Sequence, residues 1–157
     1  TNANRTIVDY FETLEWLPRT SLKTLASAMD VGNPSNMERL RYLVGEANVL
    51  REQLGVLSVN DEQIEESIRK DFAEFGFATC PHTATATHTW RQLDADVADA
   101  HDWILVATAH PAKFETIVEP LIGADVPVPP ELEALLSRPT SAISIEPTLA
   151  SLGTVLE

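Results

Sequence analysis

Trp103-Ile104-Leu105-Val106-Ala107-Thr108-Ala109-His110-Pro111-Ala112-Lys113-Phe114 is a short apolar run that ends in a hydroxyl and turns at once into a helix start. A continuous apolar run of this length predicts a strand over 103–108, buried on both faces as parallel strands are. Pro111 suits a first helical turn, where its missing N–H costs nothing. Phe114, Ile117, Val118, Leu121 and Ile122 then recur at the spacing of one helix face, and Gly123 marks the end. Strand, polar turn and helix make half of a βαβ unit, so the expected fold class is α/β. The turn also sets Thr108, Ala109 and His110 at the carboxyl edge of a strand, where open α/β sheets bind ligands.

Upstream, helices dominate, so the segment is expected to be helix-rich with few strands. Ile7, Tyr10, Phe11 and Leu14 predict a short amphipathic helix over 6–16, stopped by Pro18. Residues 19–36 are rich in Ser, Thr, Gly, Asn and Pro without sustained period, and predict a long ordered loop of the kind that tends to be functional. Ser35 or Asn36 can cap a helix carrying Met37, Leu40, Leu43 and Val44 on one stripe. Asn60 with Gln63 predicts a capping box, ahead of a helix with Ile64, Ile68, Phe72 and Phe75 on one face and Gly76 at its end. Residues 83–90 are ambiguous: Thr83, Thr85, Thr87 and Thr89 alternate with period two, which supports a strand. Pro81 suits a helix start, and Ala86, Trp90 and Leu93 share a helical face. A Pro-rich linker follows over 126–130, then a short helix with Leu132, Leu135 and Leu136.

The 157 residues suit one domain able to bury about 70% of its unfolded surface. The formal charge of −13 argues against nucleic-acid and anionic-membrane partners, because such a surface repels both. Residues 114–157 hold seven acids and one base, Arg138, which reads as a solvated face. Cys80 stands alone, so no internal disulfide and no metal-ligand pattern is expected, and a reducing cytoplasm fits. It reads as a small buried hydrophobe. The start, Thr1-Asn2-Ala3-Asn4-Arg5, has no secretory signal features and reads as a piece of something longer.

Three motifs taken together carry a family resemblance: Thr108 through Phe114, Pro81-His82-Thr83-Ala84, and Met29-Asp30-Val31-Gly32-Asn33-Pro34-Ser35-Asn36-Met37-Glu38-Arg39. The chain resembles the carboxyl-terminal third of threonine synthases, pyridoxal-phosphate enzymes of fold type II with an open, mostly parallel sheet and flanking helices. The resemblance resolves residues 83–90 as helix. It implies that residues 1–125 complete the α/β catalytic domain that binds pyridoxal 5'-phosphate, and that 126–157 form a Pro-rich linker and tail helices. The implied activity is conversion of O-phosphohomoserine and water to threonine and phosphate. The Schiff-base lysine is expected upstream, in a missing amino-terminal portion, so no catalytic residue is assigned here and the isolated segment is expected to be inactive. Lys113 sits in a first helical turn, Lys23 in a loop and Lys70 on a solvated face, none of them suited to that role.

In such enzymes a Ser or Thr at the position of Thr108 contacts the pyridine nitrogen; Ala109 and His110 are expected to bind the cofactor with it, His110 orienting a substrate or tuning the ring. A neutral hydroxyl there leaves the ring a weaker electron sink than a carboxylate partner would. The rival reading of Thr108, and of His110 before Pro111, is a helix cap. Asn33, Ser35, Asn36 and Arg39 offer donors suited to a substrate carboxylate or phosphate, Arg39 bidentately. Asp30, Asn33 and Ser35 could equally satisfy the loop's own backbone. His82 and Thr83, at a helix start, suit a phosphate or simple capping. Two other functions are weighed: a non-catalytic acidic helical module that binds a protein, and part of another enzyme of the same cofactor fold, such as threonine dehydratase.

Overall fold

The computed structural model describes residues 1–156. Two compact units are present, Thr1–Pro127 and Val128–Glu157. In the first, α1 (Thr6–Thr13), α2 (Asn36–Val44) and α3 (Ala47–Gln53) pack together, with α3 touching both others. Their shared core is Tyr10, Phe11, Met37, Ala47 and Leu50, flanked by Ile7, Trp16, Leu40, Val44 and Val56. Tyr10 anchors it with a ring edge against Trp16 and a hydroxyl that donates to Glu46 at 2.8 Å. Leu14 ends α1 in the left-handed region at φ 66°, so it closes the helix and leaves the expected apolar face.

The second packing centre joins α4 (Asp61–Phe75), α5 (Pro81–Arg91) and α7 (Glu115–Ile122), with a short α6 (Ala95–Ala98) between. The capping box at Asn60 forms as its sequence predicts: Asn60 Oδ1 accepts from the Gln63 N–H, and Gln63 Oε1 accepts from the Asn60 N–H, both at 2.9 Å. Gly76 and Gly123 end α4 and α7 in the left-handed region that favours glycine. Ile64 and Ile68 of α4, Ala84 of α5 and Val118 of α7 are fully buried. Residues 81–91 are helical, as the resemblance implies and the period-two threonines do not. In the second unit, α8 (Pro130–Leu136) and α9 (Leu149–Leu156) are short helices whose apolar side chains are largely exposed.

The expected strand does not form. Among the described residues there is no strand at all, and Trp103, Ile104 and Val106 are 44%, 88% and 67% exposed. The physical reason is pairing. A strand exists only beside another, and no described segment offers residues 103–108 a hydrogen-bonded ladder, so their apolar side chains face outward. The described residues are helix-rich, as expected of this segment, and the sheet of the α/β expectation is not seen among them. The helix start after it does form, as a 3₁₀ turn over Pro111–Phe114 that runs into α7.

Candidate functional site

The turn after residue 106 and the amino-terminal end of α5 meet at the rim of a cavity of about 840 Å³. Its walls include Phe72, Phe77, Ile122 and Val126, and its polar groups come from Thr79, Cys80, Thr83, Thr108, His110 and Asp125. Large apolar walls with a few hydroxyls at one edge suit a flat heteroaromatic ring. Thr108, Ala109, His110 and Thr83, four of the residues singled out in the sequence, line this one space. No lysine does.

The local sequence explains the placement. Pro81 is the first helical residue of α5, and the Cys80 sulfur caps it by accepting from the Thr83 N–H at 3.4 Å. The Thr83 hydroxyl lies 3.3 Å from that sulfur and accepts from the Thr108 N–H at 3.3 Å. The Thr108 hydroxyl lies 3.9 Å from the sulfur, and its residue is exposed at the cavity rim. His110 caps the following 3₁₀ turn, its Nδ1 accepting from the Ala112 N–H at 3.2 Å.

His82 faces elsewhere. It is buried, its Nε2 accepts from the Ala28 N–H at 2.9 Å, and its ring packs against Phe114 at 5.0 Å between centroids. Accepting at Nε2 requires the neutral ring with its proton on Nδ1, which is buried without a hydrogen-bond partner among the described residues. Burial lowers the His82 pKa, with Asp30 opposing and Lys113 reinforcing that shift. His82 therefore pins the long loop to α5 and lies off the cavity wall.

The loop is held by a polar network of its own. Asp30 Oδ1 accepts from the Asn2 amide and from the Thr24 hydroxyl, both at 2.7 Å, while Oδ2 accepts from the Thr24 N–H at 3.0 Å. Buried Asn4 bridges to the loop by donating to the Leu22 carbonyl at 2.9 Å and accepting from its N–H at 2.7 Å. Asn33, Ser35, Asn36 and Arg39 are exposed at the loop's end and the start of α2, and none of them lines the cavity. Ser35 occupies the cap position of α2 without a side-chain bond to it.

Sequence reasoning read Cys80 only as a buried hydrophobe and did not single out Asp71. Cys80 is fully buried, as a small hydrophobe would be, yet its position before Pro81 makes it a helix cap on the cavity wall. Asp71, a charged residue of α4, is also fully buried. It accepts from the hydroxyls of Thr79 (2.6 Å) and Thr87 (2.8 Å) and pairs with Arg91 at 2.8 Å. The signal was in the threonines: an acid in a helix that packs against a Thr-rich helix has hydroxyl donors to collect.

Comparison with known proteins supplies the frame for this site. The family model described as threonine synthase, C-terminal, matches residues 83–155. Threonine synthase of Serratia marcescens is 34% identical over 132 residues, 84% of this chain and 30% of the relative. That of Escherichia coli strain K12 is 30% identical over 152 residues, 97% of this chain and 35% of the relative. The crystal structure of threonine synthase from Escherichia coli superposes with a TM-score of 0.84 at 31% identity, covering 99% of this chain and 36% of that one. A PLP-bound threonine synthase from Brucella melitensis shares the fold, with a TM-score of 0.76 at 22% identity over 90% of this chain and 35% of that one. The chain thus spans about a third of the length of the curated relatives it matches.

Proposed function

The chain belongs to the threonine synthase family, whose carboxyl-terminal third it matches, and from that premise we propose that it forms one wall of a pyridoxal 5'-phosphate site. The complete enzyme converts O-phospho-L-homoserine and water to L-threonine and phosphate, a carbon–oxygen lyase reaction, in the cytoplasm. No helix among the described residues is long and apolar enough to cross a membrane.

The observation that carries this reading is the cavity of about 840 Å³ with Thr108, Ala109, His110 and Thr83 on its rim. The residues present fit the ring end of the cofactor. Phe72, Phe77, Ile122 and Val126 suit its flat faces, and the Thr108 hydroxyl suits a heterocyclic nitrogen at its edge. The cofactor supplies an electron sink for carbanions formed on the substrate. Thr108 would hold the ring nitrogen by a neutral hydrogen bond, which leaves that nitrogen unprotonated and moderates the sink. The apolar walls would exclude water from the ring face and strengthen that bond. The absence of lysine from the cavity wall agrees with a covalent anchor in the remainder of the enzyme. Asn33, Ser35, Asn36 and Arg39 remain candidates for the substrate's carboxylate or phosphate, since they are exposed and free to meet it.

Residues 1–125 would complete the cofactor-binding lobe and 126–157 its linker and tail. The exposed segment at 103–106 would add as a strand to a parallel sheet contributed by the rest of the enzyme, which would cover Ile104 and Val106.

The test compares two preparations. The isolated chain should acquire no visible cofactor absorbance and release no phosphate from O-phosphohomoserine. The full-length enzyme carrying it should acquire that absorbance and release phosphate. Turnover by the isolated chain would overturn the assignment of the covalent lysine to the remainder. A full-length protein that neither loads cofactor nor releases phosphate would favour the acidic interaction module.

A further inference from the structure

Three side chains at the cavity edge are tied to one another more closely than to anything else. Cys80 is fully buried and Thr83 is 6% exposed, so neither is free to reorient in water. The Thr83 hydroxyl has one acceptor duty fixed by geometry, because it takes the Thr108 N–H at 3.3 Å. With its proton placed on the Cys80 sulfur at 3.3 Å, the hydroxyl is used on both sides. That sulfur also takes the Thr83 N–H at 3.4 Å, so both of its acceptor contacts come from one residue. Its own proton has the Thr108 hydroxyl oxygen within reach at 3.9 Å. When the thiol donates to that oxygen, the Thr108 O–H proton is released from Cys80 and can be given to an acceptor in the cavity that Thr108 lines.

We infer that Thr83 and Cys80 are positioning residues for Thr108: Thr83 fixes its backbone, and Cys80 orders its hydroxyl as a donor toward the cavity. This rests on the reading of Thr108 as the partner of the ring nitrogen. It assigns Thr83 away from the substrate phosphate, since its hydroxyl is committed on both sides. It also gives Cys80 a role that a hydrophobe of the same size would not fill. A donor is the polarity an unprotonated ring nitrogen needs, and Thr108 alone, with a freely rotating hydroxyl, would present a lone pair as readily as a proton.

The experiment uses the full-length enzyme and pyridoxal phosphate as the probe. Thr83→Val keeps the shape of the side chain and removes the hydroxyl; Thr83→Ser keeps the hydroxyl; Cys80→Ala removes the thiol; Thr108→Val sets the reference. Melting temperature, the position of the bound cofactor's absorption band, and cofactor affinity by titration are read together. Thr83→Val should shift the band in the direction of Thr108→Val and weaken cofactor binding about tenfold, as loss of an ordered hydrogen bond does. Cys80→Ala should shift it the same way by less, and Thr83→Ser should restore the parent band. The double variant of Thr83→Val with Thr108→Val should bind no more weakly than Thr108→Val alone. If Thr108→Val moves the band while neither Thr83→Val nor Cys80→Ala does, the positioning role is overturned and the reading of Thr108 stands. If Thr108→Val itself leaves band and affinity unchanged, both fall. A merely structural Thr83 would lower the melting temperature and leave the band in place, which also overturns the inference.

Discussion

At Gly32 the chain has no room for a methyl group. A Cβ there would fall 1.8 Å from the Arg19 carbonyl oxygen, because two passes of the long loop cross backbone to backbone. The Gly32 carbonyl accepts from the Arg19 N–H at 3.0 Å and from the Thr6 hydroxyl at 2.8 Å, so the crossing also ties the loop to α1. Gly32→Ala must push these strands of chain apart, and is expected to lower stability by about 2–3 kcal/mol in urea unfolding, the usual cost of overpacking. A variant as stable as the parent would show that the loop yields freely. His82 gives a second residue-scale expectation. Burial lowers its pKa, so between that lowered value and about 6.5 the unfolded chain binds more protons than the folded one. Stability therefore rises with pH across this window and is lost as pH falls below about 6.5. Burial shifts His88 in the same direction, which adds the same sign. His82→Gln offers an amide oxygen to the Ala28 N–H without titrating. Its unfolding midpoint should fall less steeply than the parent's between about pH 7.5 and 5.5, leaving the His88 share; an equal slope would assign the whole effect elsewhere.

Elements of this chain were legible where the signal was local. Asn60 and Gln63 specify their capping box three residues apart, with nothing else needed, and Asn60→Ala should cost about 1 kcal/mol in thermal or urea melts of α4. No measurable loss would mean that packing of Ile64 and Ile68 alone fixes the helix start. The alternating threonines of α5 show where local pattern misleads. Thr85 and Thr89 return their hydroxyls to carbonyls one turn back, at His82 and Thr85, so hydroxyls that would face outward on a strand are satisfied within the helix. Thr87 goes further and reaches Asp71. Periodicity cannot report that partnership, because it depends on α4 and α5 lying side by side. The site follows the same division. Thr108, Ala109 and His110 stand out in sequence because strand-like and helix-like patterns abut there. The tie between Thr83 and Thr108 spans 25 residues and becomes visible only when α5 and the turn are brought together.

For the whole molecule, the balance is between charge and the uncovered segment at 103–106. A formal charge of −13 keeps copies apart at low ionic strength, where screening is weak. Trp103, Ile104 and Val106 offer one another's copies an apolar surface, on backbone that no described neighbour pairs in a ladder, which is the liability of an open strand edge. Raising the salt removes the first term and leaves the second. The isolated chain should therefore associate more strongly as salt rises, opposite to the trend for a contact built on ion pairs. Sedimentation velocity over a salt series reads this directly. Ile104→Lys with Val106→Lys should suppress the association, because charge at an open edge opposes pairing. The apolar tail is the competing source, with Leu149 87% exposed in α9. Association that survives the lysine pair and disappears in Leu149→Lys would move the contact to the tail. The segment at 103–106 would then lose its claim to be the surface on which the rest of the enzyme docks.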